Sequence, residues 1–390
     1  MVIAEDRIGG FARSKGKERA DLSSAEVSIY ELELGQYREF MICRDEVAAA
    51  RLGARHLPEV VVVGLISTYD AFLADLLRVV AKRQPGTFLT PDKTLKFSEL
   101  TNFSSIDEAR SYLIDKEIES LIRQSHHEQF DWMQKRFDVK LCENLPVWPK
   151  FVELCERRNL LTHTGGIVSK QYLEVCKEHK CNIEKVALGE KLTVNAEYFR
   201  EAVGIIYEIG VKLCHVFWRK FAKEERKEAD RALNELGYDL IYGRAYPVAE
   251  AILNFGDNVL KTHYSDSTRR MIVINLANAI RLQERPEDAK LILDREDWSA
   301  CSEEFKICVA AVRGEVDTVV QLANAIGTGG RPTLEHYRTW PVFRGMRTEE
   351  KFILAVEQIF GEPLIPDVVD KVEVDADPGE TPPENGTTVH

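Results

Sequence analysis

The stretch "RRNLLTHTGGIVSKQYL", residues 157–173, decides how this chain is read. Pro149 upstream and the glycine pair Gly165–Gly166 bracket a helix. Proline suits a first turn, where its missing N–H is not needed, and glycine suits the left-handed turn that ends a helix. His163 then falls in the last turn, where free carbonyls favour a cationic side chain. Asn159 and His163, four apart, share a face, while Arg158 lies about 140° round from His163 on an ideal helix. An imidazole able to exchange a proton, a guanidinium able to fork onto a phosphate and an amide to orient them form an acid–base set. A histidine or arginine near a helix C-terminus is also common as a simple cap, so spacing alone leaves a structural role open.

Arginine, four residues, histidine also occurs at Arg51–His56 and at Arg331–His336. Arg51 is followed by Leu52, and His56 stands just before Pro58, read here as a helix junction. Arg331 precedes Pro332 in the glycine-rich "GTGGRPTLEHY" and has no helical geometry. Only Arg158 combines a neighbouring amide with a proline-opened, glycine-closed helix.

Outward from this motif the chain reads as helix almost throughout, with no convincing run of alternating strands. "SSAEVSIYELELG", from Ser23, opens like a capped helix, and Pro58 starts a second one, "PEVVVVGLISTYDAFLADLLRVVAKR", apolar on most sides. Ser105 and Glu108 form a capping-box pattern before one long helix over 105–137. A short helix around "SKQYLEVCKEH" and a strongly amphipathic one ending at "FWRKF" follow. Near residue 222 the texture changes to three short helix pairs. Their second members, "VAEAIL" at 248–253, "DAKLIL" at 288–293 and "DTVVQL" at 317–322, repeat at irregular steps that bracket the roughly 34 residues of a tetratricopeptide unit. The expected division is a poorly ordered N-terminus over 1–22, a helical domain over 23–222, a helical-hairpin array over 223–362 and a disordered acidic tail over 363–390.

The net charge of −12 seems to speak against nucleic acid, but its location matters more. From Glu362 onward eight acids face one base, Lys371, so most of the excess sits in the tail. The remaining body can carry a local basic site, though not a broad phosphate-gripping surface. The longest apolar run, "VVVVGLI" at 60–66, is far below membrane-spanning length, and the first residues lack a secretory h-region. A cytoplasmic location without membrane attachment is expected. The eight cysteines lack the spacing of a secreted disulfide scaffold. "CKEHKC" brings Cys176, His179 and Cys181 close, but a zinc site would need Cys155 or Cys142 as its fourth ligand. Buried thiols are the simpler reading, and no metal or cofactor is expected. Adjacent His126 and His127 point about 100° apart on a helix and read as a solvated face.

"FVELCERRNLLTHTGGIVSKQYL" resembles the signature helix of the HEPN superfamily, the higher-eukaryote and prokaryote nucleotide-binding all-α domains. Its motif of arginine, polar residue and histidine matches Arg158, Asn159 and His163 here. "STYDAFLADLL" at 67–77 is similar to an earlier family helix, with Asp70 in the acidic position. The resemblance covers roughly 23–222 in helix order and does not reach the C-terminal array, which is tetratricopeptide-like on its own account. It implies an all-α bundle and metal-independent cleavage of RNA, in which the 2′-hydroxyl attacks the adjacent phosphorus to leave a cyclic phosphate and a 5′-hydroxyl. On this reading His163 is the acid–base group, Arg158 the phosphate clamp and Asn159 the orienting group, with Asp70 and Thr162 in support. The family's habit of dimerising would supply a second histidine to each site, so a homodimer through this domain is expected. The array would bind a protein trigger or inhibitor, as in regulated toxins and abortive-infection defence. The rivals are a catalytically inactive dimeric adaptor and a nucleotide-sensing module.

Overall fold

Apolar residues recurring at helical period set the architecture. The computed structural model describes residues 2–23, 28–89, 94–143 and 145–364. The described residues are mostly helical as expected, 72% of them lying in seventeen α-helices and a few 3-10 and π turns. Among the described residues the only paired strands are Lys17–Glu18 and Tyr30–Glu31, an antiparallel pair. Two compact units divide the chain, Met1–Leu240 with Ala245–Ile272 and Ile241–Arg244 with Val273–His390. This division falls well beyond residue 222, so most of the first helix pair belongs to the first unit.

The first unit starts with α1 (Val2–Lys15), lying in the stretch expected to carry little order. Phe11 supplies the contact that polar composition obscured. Its ring packs on Phe40 at 6.1 Å, and Arg7 pairs with Glu46 at 3.2 Å. Both partners lie on α2 (Leu34–Arg83), a single fifty-residue helix. It begins at Leu34, where Gln36 Oε1 accepts from the Glu33 N–H at 3.1 Å, rather than at Ser23. Ser24–Val27 of the expected cap lie outside the described residues. Pro58 does not divide α2. Proline removes one helical donor, but residues 51–57 are all exposed, so the carbonyl left without a partner faces solvent rather than core.

One side of the second half of α2 is fully buried: Val62, Ile66, Tyr69, Leu73 and Leu77 are each 2% exposed or less. The other side leaves Leu57, Val60 and Val61 exposed. By length and mean hydropathy alone, part of this helix would suffice to cross a membrane. Short helices α3 (Pro85–Phe88) and α4 (Phe97–Leu100) follow. The single helix expected over 105–137 is two, α5 (Ile106–Ile122) and α6 (His126–Phe137). Ser105 caps α5 by accepting from the Glu108 N–H at 3.1 Å, and a second reciprocal cap, Ser125 with Glu128, starts α6. α7 (Trp148–Thr164), α8 (Lys170–Glu178) and α9 (Ala196–Phe221) complete the bundle, whose continuous core runs from Val62 to Phe217.

Three helix pairs follow: α10 (Arg226–Tyr242) with α11 (Tyr246–Asn254), α12 (Asp266–Arg281) with α13 (Pro286–Leu293), and α14 (Glu303–Arg313) with α15 (Val316–Ile326). Burial aligns their second members at Ala249 and Leu253, Ala289 and Leu293, Val319 and Ala323. The third therefore sits one residue later than the sequence repeat suggested. The longer first step arises about half from α12, with 16 residues against 11 in α14, and otherwise from longer connecting segments. In the first pair Gly237 is required, since a Cβ there would stand 2.4 Å from a Leu253 methyl. α16 (Leu334–Thr339) and α17 (Glu350–Phe360) close the described chain. The expected acidic tail lies, from 365 on, outside the described residues.

A proline inside a helix costs about 3 kcal/mol relative to alanine. Pro58→Ala should therefore raise the stability of the first unit by on the order of 1–3 kcal/mol, read as a higher urea midpoint at unchanged slope. An unchanged midpoint would mean that α2 is not continuous through 58.

Candidate functional site

α7 carries the site because its two faces differ. Trp148, Phe151, Val152, Cys155 and Leu160 are buried at helical spacing. Phe151 meets the edge of Tyr69 from α2 at 5.3 Å and Phe130 from α6 at 5.5 Å, which makes an aromatic floor where three helices converge. The helix ends as its sequence requires. Gly165 adopts φ +60°, and its N–H returns to the Leu160 carbonyl. Gly166 takes φ +87° and cannot be replaced cheaply, because a Cβ would stand 2.5 Å from the Leu192 carbonyl oxygen.

Above the floor lies a chain of polar contacts. Arg158 donates from a terminal nitrogen to Asp70 Oδ2 at 3.0 Å, joining α7 to α2. The other carboxylate oxygen of Asp70 lies 2.9 Å from His126 Nε2, at the start of α6. Because a carboxylate only accepts, that imidazole nitrogen carries the proton. Arg158 also donates to Asn159 Oδ1 at 3.3 Å, and the Asn159 amide donates to Glu156 Oε1 at 3.3 Å. His126 is 6% exposed and Glu156 7%. Burial pushes the Glu156 carboxyl above the usual carboxylate range, while His127, His126, Asn159 and Arg158 pull it back in part. Arg158 Nε is buried with no acceptor among the described residues.

The structure thus brings Arg158 and Asn159 of the motif together with Asp70. His163 stands exposed on the last turn, and among the described residues no hydrogen bond or ion pair holds it. Thr162 does not join the cluster, since its hydroxyl donates to the Arg158 carbonyl at 2.9 Å. Of the two consecutive arginines only Arg158 faces the site. Arg157 donates to Glu153 at 2.8 Å and to the Thr193 carbonyl at 3.1 Å, and its guanidinium lies 4.1 Å from the Tyr198 ring centre.

His126 and Glu156 are the members that sequence reading missed. The solvated face expected at 126–127 is corrected here: His126 is buried on the core side, while His127 is half-buried beside the His179 ring at 5.1 Å. A signal existed. His126 is spaced four, seven and eleven residues from Phe130, Met133 and Phe137, all buried on one face of α6. The cysteine cluster has other uses. Cys181 donates to the Pro149 carbonyl at 3.1 Å, and His179 Nδ1 accepts from the Trp148 indole at 3.4 Å. Among the described residues no three histidine, cysteine or acidic side chains are grouped to hold a metal. The other two arginine–histidine pairs lead elsewhere: His56 pairs with Glu59 at 3.1 Å, and His336 packs on Trp340 at 4.2 Å. Comparison with protein-family models, curated proteins and solved structures finds no match to the chain.

Glu156 makes the pH dependence of stability testable. Its folded-state carboxyl titrates above its unfolded value near 4.5. Across the window between those values the native state holds the extra proton, so stability falls as pH rises through it and the cost persists at neutral pH. Glu156→Gln, which keeps the oxygen that Asn159 uses, should raise the melting temperature at pH 7. The gain should vanish below about pH 4.5, the unfolded carboxylate value. Destabilisation at pH 7 would show that the charge is used rather than merely borne.

Proposed function

We propose that the chain is a metal-independent endoribonuclease whose site is built on α7. The observation that carries the reading is the pairing of an unencumbered His163 with an Arg158 fixed across helices by Asp70. A guanidinium held by one carboxylate keeps further N–H groups for an anion, and its fork matches phosphate geometry. The bond-making step joins the RNA 2′-oxygen to phosphorus and breaks the bond to the 5′-oxygen. One proton must leave the 2′-hydroxyl and another must reach the 5′-oxygen, while charge grows on the phosphate. His163 serves one proton transfer and Arg158 the charge, and Asn159, held between Arg158 and Glu156, orients the phosphate.

One chain offers one free histidine at this site. A second copy facing the first supplies the other acid–base group, so the reading includes a homodimer. The helix pairs after residue 222 are the part of the chain suited to a protein trigger or inhibitor, as in a regulated toxin of a defence system. Helical hairpins of this kind present extended surfaces to peptides and proteins.

The test is cleavage of total tRNA and a single-stranded RNA in EDTA by full-length protein. Wild type should leave 2′,3′-cyclic phosphates and 5′-hydroxyls. His163→Ala and Arg158→Ala should each lose about 10²–10⁴-fold in rate, the usual worth of a positioned acid–base or charge-stabilising group. Cleavage that survives both substitutions sinks the assignment, and inactivity of the wild type at enzyme concentrations equal to substrate counts against the reading.

A further inference from the structure

His126 has no part in the motif, yet it contacts the residue that holds Arg158. We infer that His126 is a positioning residue, acting through Asp70 to fix the guanidinium of Arg158 for an RNA phosphate. The inference rests on the nuclease reading for its ligand and on the contacts of three helices for its mechanism.

Asp70 has a short side chain with two rotatable bonds, and its carboxylate could swing with the ion pair intact. His126 prevents this. Its Nε2–H takes Oδ1 at 2.9 Å, so Oδ2 alone is presented to Arg158 at 3.0 Å. The imidazole is itself immobile. It is 6% exposed, with the Phe151 ring edge-on at 5.8 Å and the Tyr69 ring at 6.0 Å. The rigidity of the aromatic floor is thereby passed up through a carboxylate to a guanidinium. Beyond Arg158 the same chain fixes the Asn159 amide, whose oxygen accepts from Arg158 and whose nitrogen donates to Glu156. Supporting groups of this kind hold a binding group within the narrow tolerance that recognition of a phosphate needs.

Two substitutions separate positioning from packing. His126→Phe keeps an aromatic ring against Phe151 and Tyr69 but removes the donor. His126→Gln carries an amide N–H to nearly the place of Nε2. Thermal unfolding checks that both variants fold, and the probe is a single-stranded 2′-O-methyl RNA, which binds but lacks the attacking hydroxyl. Its affinity should fall about tenfold or more in His126→Phe, equally in Asp70→Asn, and no further in the double variant, because links of one chain do not add. His126→Gln should recover most of the loss, and kcat/KM on cleavable RNA should follow the same order. Wild-type binding by His126→Phe, or a Gln variant as weak as the Phe variant, would overturn the inference even if the enzyme cleaves RNA. Absence of cleavage with this binding order intact would instead overturn the nuclease reading and leave the positioning role standing. A wild type that binds no RNA would remove both.

Discussion

The Asp70 carboxylate is the point on which the arrangement of this bundle turns. It sits on α2, takes His126 of α6 on one oxygen and Arg158 of α7 on the other, and so ties three helices at one place. In a core made of leucine, valine and aromatic rings, helices pack well at several rotations, since apolar contact is not directional. A charged group with two specific partners is directional. Removing Asp70 or Arg158 leaves the other's partly buried charge without its counter-charge, which is far more costly than the pair is stabilising. The aromatic cluster of Tyr69, Phe130, Phe151 and Trp148 lies directly below and contributes the burial energy, while the polar chain selects one rotation of α7.

That rotation decides what α7 shows to solvent. With Arg158 drawn towards Asp70, His163 is carried to the open side at the helix end, and Gly165 terminates the helix before it could be covered. Arg157, one step of about 100° away, is turned onto Glu153 and the ring of Tyr198. Two neighbouring arginines of identical chemistry thus have separate tasks for a purely geometric reason. One anchors the segment after α8, and the other is left facing the cluster.

Much of this was legible in the chain itself, and the parts that were not share a cause. Pro149 and Gly165 mark the ends of α7 because proline and glycine act locally, through φ and a missing donor or Cβ. Asp70 was singled out only by the resemblance of residues 67–77 to a known family's helix, and its contact with Arg158 was not legible. Pro58 misled for the same local reason: its cost is real, but a long amphipathic helix with an exposed segment around it absorbs that cost. His126 was missed because its role lies in a contact 56 residues away in sequence. Only its spacing from Phe130 and Met133 hinted that it faced inward. The third helix pair was placed one residue out of register since Leu322 resembles the buried leucines of the other two pairs, while burial follows Val319 and Ala323.

The accounting of charge in the bundle singles out one group. Glu153 is met by Arg157 and by the hydroxyls of Tyr172 and Tyr198, and Asp70 by Arg158 and His126. Glu156 has only the Asn159 amide, at the long end of hydrogen-bond distance, although it is among the most buried acids of the bundle. A carboxylate so placed bears a desolvation cost that its neighbours do not repay, and this is why burial lifts its titration. An apolar residue at 156 would pack against the same floor without that cost. It would, however, remove the acceptor of the Asn159 N–H and leave the 3.3 Å bond from Arg158 alone to hold that amide's orientation. Glu156 therefore stabilises an orientation rather than the fold, and this incompletely compensated carboxyl lies on the same helix face as the exposed histidine, two turns before it.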